Sequence, residues 1–444
     1  MHTEKADVQK AQSVPRCDRL QSAMAAAAER FRAANPKSLA QHSAATAVMP
    51  GGNTRTVLYH DPFPLTIARG DGCRLWDLDG HEYVDMLGEF TAGIFGHTNE
   101  VIRSAVISAL ERGVDLSGHT VAEAELARVI CERFPSIKFV RFTNSGTEAN
   151  LMALAAATAF TGRRQILVFQ GGYHGAVLSF ARGRSATNVP HDFIVSTYND
   201  VAETQRLIET QGDELAAILV EPMLGSGGCI PGDRRFLEAL RHASSACGAV
   251  LIFDEVMTSR LSAGGLQEAL GITADLTTLG KYLGGGLSFG AFGGRQDIMG
   301  QFDPRRPNAL PHSGTFNNNI VTMSAGVAGL RNVLTRAATD ALNARGDALR
   351  RRLNAACRGR QLQFTGIGSL MCAHPVDGVI QTAADAAAVD PSLRDLLHFD
   401  MLERGFYLAR RGFIALSLAI GDDEIRRFEE AVSDVLKQRS DFFA

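Results

Sequence analysis

Along the chain, short apolar runs alternate with longer stretches of helical spacing. The runs are Phe139 to Phe142, Gln165 to Phe169, Phe193 to Thr197, Ala216 to Val220, Val250 to Phe253 and Leu276 to Gly280. Runs this short, bounded by Gly, Pro, Asn or charged residues, read as buried strands. Between them, Glu148 to Phe160, Val201 to Thr210 and Arg235 to Cys247 have the spacing of helices. Strands that alternate with helices predict a doubly wound α/β core with a mostly parallel sheet. Ligands of such sheets bind beyond the carboxyl ends of the strands. Those ends carry Ser145-Gly146-Thr147, Tyr173-His174, Glu221-Pro222, Asp254-Glu255 and Lys281. The pattern therefore predicts that these residues converge on one site.

The flanks read differently. Leu20 to Ala34 is an Ala-rich helix that Pro36 ends, and residues 48–70 are loop-like. Arg55 sits there between Gly51-Gly52 and Pro62, a setting that by residue type alone reads as solvated. Cys73 to Met86 alternates around Asp79-Gly80, a hairpin signal. Glu100 to Gly113 and Ala122 to Phe134 have helical spacing, and a helix from Ile320 to Ala337 leaves the sheet. Residues 340–444 mix helices with short strands at Leu370 to Ala373 and Phe413 to Leu418. The expected division is a large domain over 85–328 and a smaller α+β domain over 329–444. The N-terminal segment 1–84 would pack with the smaller one, so both termini contribute to it.

Composition narrows the classes. A chain of 444 residues that is 45% hydrophobic can bury a large core and more than one domain. Lys+Arg of 45 against Asp+Glu of 48 leaves a net charge of -3, which argues against nucleic acid or an anionic membrane as partner. Met1 to Gln21 is polar and lacks an apolar signal core, and no apolar run is long enough to span a membrane. The 7 cysteines form no CxxC pair. Those features predict a reduced, cytoplasmic protein. The 44 glycines cluster at strand ends, where backbone approaches a ligand.

Candidate chemistry follows by elimination. Val250 to Glu255 resembles the carboxylate strand of a nucleotide hydrolase, but that site needs GxxxxGK[ST]. Here Lys281 is followed by Tyr282, and position 275 is Asp. Gly284-Gly285-Gly286 does not complete GxGxxG either. No HExxH and no paired cysteines point to a metal. Pyridoxal phosphate, in contrast, needs what is present. Its phosphate suits a helix N-terminus with hydroxyls, which Ser145-Gly146-Thr147 supplies, although an ordinary N-cap uses the same residues. Its aldehyde needs a lysine, here Lys281. Its ring nitrogen needs a carboxylate, here Asp254. Tyr173 and Val256 can cover the two ring faces. Each residue alone has an ordinary structural reading. The joint order of phosphate turn, aromatic, acid and lysine is what carries the inference.

These residues also carry a family resemblance. Asn144-Ser145-Gly146-Thr147-Glu148-Ala149, Gly172-Tyr173-His174-Gly175, Val220-Glu221-Pro222, Phe253-Asp254-Glu255-Val256, Gly280-Lys281 and Gly314-Thr315-Phe316 resemble the class III aminotransferases, fold-type I pyridoxal-phosphate enzymes. Pro50-Gly51-Gly52-Asn53 and Gly290-Ala291-Phe292-Gly293-Gly294 are similar to the glutamate-1-semialdehyde aminomutase branch. Pro62 to Gly70, Met257-Thr258-Ser259-Arg260-Leu261 and Thr315 to Asn319 most resemble the β-amino acid, or β-phenylalanine, aminotransferases. Ser259-Arg260 stands where many class III enzymes have Gly-Phe, which turns away from ornithine or 4-aminobutyrate as substrate.

The resemblance implies roles. Ser145, Gly146 and Thr147 would hold the phosphate, Tyr173 and Val256 would cover the ring, and Glu221 would support it. Asp254 would pair with the ring nitrogen and Lys281 would form the Schiff base. Thr315 would reach the phosphate of the neighbouring subunit, which implies a homodimer with shared active sites. Arg55 and Arg411 would hold substrate carboxylates, with Arg55 now a buried guanidinium forked onto a carboxylate. The implied reaction takes nitrogen from a β-amino acid, β-phenylalanine first among them, to 2-oxoglutarate. It yields a 3-oxo acid and glutamate. The alternatives on the same scaffold are an aminomutase, a racemase or decarboxylase, and a non-catalytic cofactor-binding regulator.

Overall fold

The N-terminal helix Arg16–Ala34 buries Leu20, Ala27 and Phe31 along one face. Pro36 does not simply end it. After Asn35 the chain turns into a second helix, Pro36–Thr46, with the proline in its first turn. There the fixed φ and the missing N–H cost nothing. A helix stop and a helix start thus share one residue. The computed structural model describes residues 15–181, 183–388 and 390–444. The polar stretch Met1 to Gln21 lies outside the described residues up to position 14.

The loop-like stretch ends in a strand, β1 (Ile67–Asp71), followed by the hairpin of β2 (Arg74–Asp77) and β3 (Glu82–Asp85) around Asp79-Gly80. The central sheet is built from β4 (Phe139–Thr143), β5 (Gln165–Phe169), β6 (Asp192–Ser196) and β7 (Leu215–Val220). A short hairpin, β8 (Met223–Leu224) and β9 (Ile230–Pro231), interrupts the series. Then come β10 (Val250–Asp254), β11 (Leu276–Gly280) and β12 (Gly290–Gly294), giving the order β4-β12-β11-β10-β7-β5-β6.

The sheet is mixed but mostly parallel, and β12 runs antiparallel to both its neighbours. Its sequence, Gly-Ala-Phe-Gly-Gly, carries no strand signal because glycine is disfavoured in strands. Packing explains it. A Cβ at Gly293 would lie 2.6 Å from the Phe139 carbonyl oxygen, and one at Gly290 would collide with the Ser145 carbonyl oxygen.

Alternate strand residues point to opposite faces. Ile166, Val168, Leu219 and Ile252 share one core with Ala149, Ala153 and Leu154 of the helix Gly146–Thr161. Leu167, Ile218, Val220 and Leu251 share the other with Phe236, Leu237 and Leu240 of the helix Arg234–Cys247. Every residue of β7 and β10 is buried, as a strand covered on both faces requires.

The helix starting at Ile320 is shorter than its sequence spacing predicts. It runs as α-helix to Ala328 and continues as a π turn over Gly329–Val333. Thr335 then caps a new helix, Arg336–Ala356. Beyond it, β13 (Gln363–Ile367), β14 (Leu370–His374) and β16 (Phe413–Ala415) form a three-stranded sheet. The intervening β15 (Phe406–Tyr407) joins the N-terminal sheet, pairing in parallel with β3. All 7 cysteines are free. Among the described residues no helix is long and apolar enough to cross a membrane.

Candidate active site

The carboxyl ends of β4, β7, β10 and β11, with the loop after β5, surround a cavity of about 300 Å³. Ser145, Gly146, Thr147, Tyr173, Glu221, Asp254, Val256 and Lys281 all line it. The crossovers between strands put polar loops at one edge, so residues far apart in sequence meet there.

One end of the cavity is the start of the helix Gly146–Thr161. Ser145 is its N-cap, and its Oγ accepts from the Glu148 N–H at 3.2 Å. The ordinary capping role is therefore real and coexists with a helix N-terminus that opens on the cavity, where first-turn N–H groups and the dipole favour an anion. Gly146 is needed for packing, because a Cβ there would lie 2.9 Å from Val256 Cγ2.

Asp254 also lines the cavity. It is buried, its Oδ2 accepts from Asn150 Nδ2 and from His174 Nδ1, each at 2.8 Å, and its Oδ1 accepts from the Val256 N–H at 3.0 Å. Asn150 is fixed in turn, since it accepts from Thr278 Oγ1 at 2.8 Å and donates to the His174 carbonyl at 3.0 Å. These donors hold the carboxylate in one orientation. Asn150 and Thr278 gave no sequence signal, and His174 was visible only as a neighbour of Tyr173.

Glu221 is buried beside it. Its carboxylate accepts from the Tyr173 and Gly225 N–H groups, each at 2.9 Å. Burial pushes its pKa up to about 7. In the cofactor-free protein this raised value favours the protonated folded form. The stability it contributes is full below about 4.5, the ordinary glutamate value, and is lost as pH rises through about 7. Relative to wild type, Glu221→Gln should gain stability across that window in denaturant unfolding. A constant difference from pH 5 to 8 would contradict the raised pKa.

The chain has six lysines, Lys5, Lys10, Lys37, Lys138, Lys281 and Lys437. Of the four described, Lys37, Lys138 and Lys437 are exposed, and Lys281 lines the cavity. Burial pushes the Lys281 amine pKa down, while Asp254 pulls it up. A lysine with a lowered pKa is a better nucleophile and base near neutrality. Its backbone sits at φ 55°, a conformation that non-glycine residues rarely adopt and that recurs at functional sites.

Tyr173 is 44% exposed with the cavity before it. The remaining candidates lie outside the cavity wall. Arg411 donates to Ser226 Oγ at 2.8 Å, and its guanidinium lies over the rings of Phe90 and Phe413 at 5.2 and 5.7 Å. Burial lowers its pKa. Arg55 is not the buried fork that the family resemblance implies. Its side chain is 43% exposed and ion-paired to Glu89. Thr315 is exposed and is not brought to this cavity. Arg260, from the Thr258-Ser259-Arg260 segment, is fully buried and donates to Ser369 Oγ at 3.2 Å and to the carbonyls of Thr91 and Leu416.

The donor set fits pyridoxal phosphate: an anion-favouring helix start, a held carboxylate and a buried amine share one cavity with glycine-narrowed walls. The comparisons agree. The model of the family "Aminotransferase class-III" matches residues 58–382. The chain is 56% identical over 419 residues to a beta-phenylalanine transaminase of Variovorax paradoxus, covering 94% of this chain and 96% of that protein. It is 36% identical to a glutamate-1-semialdehyde 2,1-aminomutase of Pelotomaculum thermopropionicum, covering 90% and 97%. A crystal structure of a β-phenylalanine aminotransferase from Variovorax paradoxus superposes with a TM-score of 0.94 at 55% identity, covering 96% and 99%. A transaminase with PLP bound superposes at 0.84 with 32% identity, covering 91% and 98%. The chain belongs to the class III aminotransferases, and it is an enzyme of fold type I that uses pyridoxal phosphate for transamination.

Proposed function

We propose that the chain transfers the amino group of a β-amino acid, β-phenylalanine first among them, to 2-oxoglutarate, giving a 3-oxo acid and glutamate. The observation that carries this reading is the pair of guanidiniums, Arg55 and Arg411, both packed against the ring of Phe90, with Arg55 acting on the charge of Lys281. The carboxylate of a β-amino acid lies one carbon farther from nitrogen than that of an α-amino acid, so its anchor must stand off from the lysine. Arg55, which lies outside the cavity wall yet acts on the charge of Lys281, suits that role. Arg411 suits the second carboxylate of the dicarboxylic acceptor. Similarity to a β-phenylalanine transaminase supports the same substrate.

When bound, pyridoxal phosphate supplies the aldehyde that takes the amino group and the ring that accepts an electron pair. On our reading Ser145, Gly146 and Thr147 hold its phosphate, while Tyr173 and Val256 cover its ring. Asp254 would pair with the ring nitrogen, and Glu221 would support the ring with Tyr173. Lys281 would hold the aldehyde end and would move the proton at the substrate carbon that bears nitrogen. Thr315, exposed on one subunit, serves the phosphate of the other, so the working enzyme is a homodimer in the cytoplasm. We read the chain as a large domain over 85–328 and a small domain over 329–444 with the N-terminal segment packed on it. The pairing of β15 with β3 supports that grouping.

Incubation with β-phenylalanine and 2-oxoglutarate should form glutamate and a 3-oxo acid in equal amounts. Turnover without any acceptor, or no glutamate, would favour an aminomutase instead. Arg55→Ala should raise KM for β-amino acids through loss of a charged hydrogen bond of roughly 1.5–3 kcal/mol. That corresponds to about 10- to 150-fold, and the half-exposed setting favours the lower end. An unchanged KM would return Arg55 to the surface.

A further inference from the structure

The turn Gly88–Thr91 is strained, and it carries Glu89, the ion-pair partner of Arg55. Gly88, Glu89, Phe90 and Thr91 have φ values of 55, 47, 50 and 85°. Three consecutive non-glycine residues with positive φ are costly. Such strain persists only where the surroundings enforce it. The enforcement is visible. Asp85 Oδ1 accepts from the Leu87 and Gly88 N–H groups, each at 2.9 Å, and the buried Arg260 donates to the Thr91 carbonyl at 3.5 Å.

The turn sets Glu89 against Arg55 and puts the Phe90 ring against both Arg55 and Arg411. The guanidinium carbons of Arg55 and Arg411 lie 5.6 and 5.2 Å from the centre of its ring. The arginines differ in their commitments. Arg411 has the hydroxyl of Ser226 and no carboxylate in ion-pair contact among the described residues, whereas Arg55 has Glu89. Both members of the pair act on the charge of Lys281.

We propose that Glu89 is a built-in carboxylate that occupies Arg55 until the carboxylate of an incoming substrate displaces it, and that it thereby sets affinity for carboxylate substrates and disfavours amines without one. The proposal rests on the reading of Arg55 as a carboxylate anchor. Exchange of one carboxylate for another leaves Arg55 paired throughout, so binding is charged only with the release of Glu89. The side chains of the pair are 43% and 56% exposed. Ion pairs so exposed are weakly held, and the released Glu89 can be hydrated. A neutral or cationic group offers Arg55 no replacement, so an amine lacking a carboxylate meets a closed pair. Selection comes from a competitor that only the right ligand can remove.

Titration calorimetry of the cofactor-loaded enzyme with 3-phenylpropanoate, an unreactive carboxylate, tests this together with KM for β-phenylalanine. Glu89→Gln keeps the size of the side chain and removes its charge. It should tighten 3-phenylpropanoate about two- to five-fold and lower KM in proportion. Arg55→Ala should weaken binding, and adding Glu89→Gln in that background should change nothing more. Binding of 1-phenylethylamine, which has no carboxylate, should not tighten in the Arg55→Ala, Glu89→Gln double variant relative to Arg55→Ala. Unchanged or weaker carboxylate binding in Glu89→Gln, with Arg55→Ala still weakened, overturns the proposal alone. Unchanged binding in Arg55→Ala overturns the anchor as well.

Discussion

Lys281→Ala is expected to lower amino transfer by at least about 10⁴-fold, because on the proposed reading it removes the nucleophile and the base together. The visible absorbance of the covalently held cofactor should vanish with it. The fold should survive. Among the described residues the Lys281 amine makes no hydrogen bond or ion pair, and burial already disfavours its charge. Alanine keeps the same backbone penalty at φ 55°, so the variant tests chemistry rather than folding. Wild-type turnover by a well-folded Lys281→Ala would end this account. An intermediate loss with the visible band retained would move the covalent role to another amine.

Asp254→Asn should lower kcat by about 10²- to 10⁴-fold while the visible band persists, which separates it from the lysine variant. The amide has nearly the same shape but carries no charge, so it cannot hold a proton on the ring nitrogen. It also presents an NH₂ toward Asn150 Nδ2 and His174 Nδ1, both donors to the carboxylate in the native site. In that orientation both donors lose their acceptor, and with the amide flipped the Val256 N–H loses its own. Leaving a buried donor unpaired costs about 1–3 kcal/mol, so the melting temperature should fall as well. Asp254→Ala is the cruder test, because it strands both side-chain donors and the Val256 N–H. A kcat within a few-fold of wild type in Asp254→Asn would remove the carboxylate from the ring nitrogen.

The core of the fold was legible because buried parallel strands are written as short apolar runs. β5 and β11 fall where the runs do, and the others differ by a residue or so at an end. What was not legible had its cause in tertiary contact. β12 is built of glycine because its neighbours leave no space for side chains. Pro36 reads as a stop, yet it opens the next helix because the first turn has no use for its N–H. The break after Val333 follows a π turn that spacing does not encode.

The site shows the same division. Residues at strand ends were legible because topology sends strand ends to one edge. Asn150 and Thr278, which orient Asp254 from a helix and from a strand, were not. Nothing in their local sequence distinguishes them from ordinary polar residues. Arg55 was legible as a loop arginine, but its partner Glu89 lies in a strained turn 34 residues away, and a positive φ at Glu, Phe and Thr has no sequence signature.

The central claim is that Lys281 and Asp254 hold opposite ends of one cofactor. Borohydride reduction of the loaded enzyme, followed by peptide mass mapping, tests the lysine end directly. The phosphopyridoxyl mass is expected on the peptide containing Lys281. Its recovery on Lys138, Lys437 or any other lysine, with Lys281 unmodified, would contradict it.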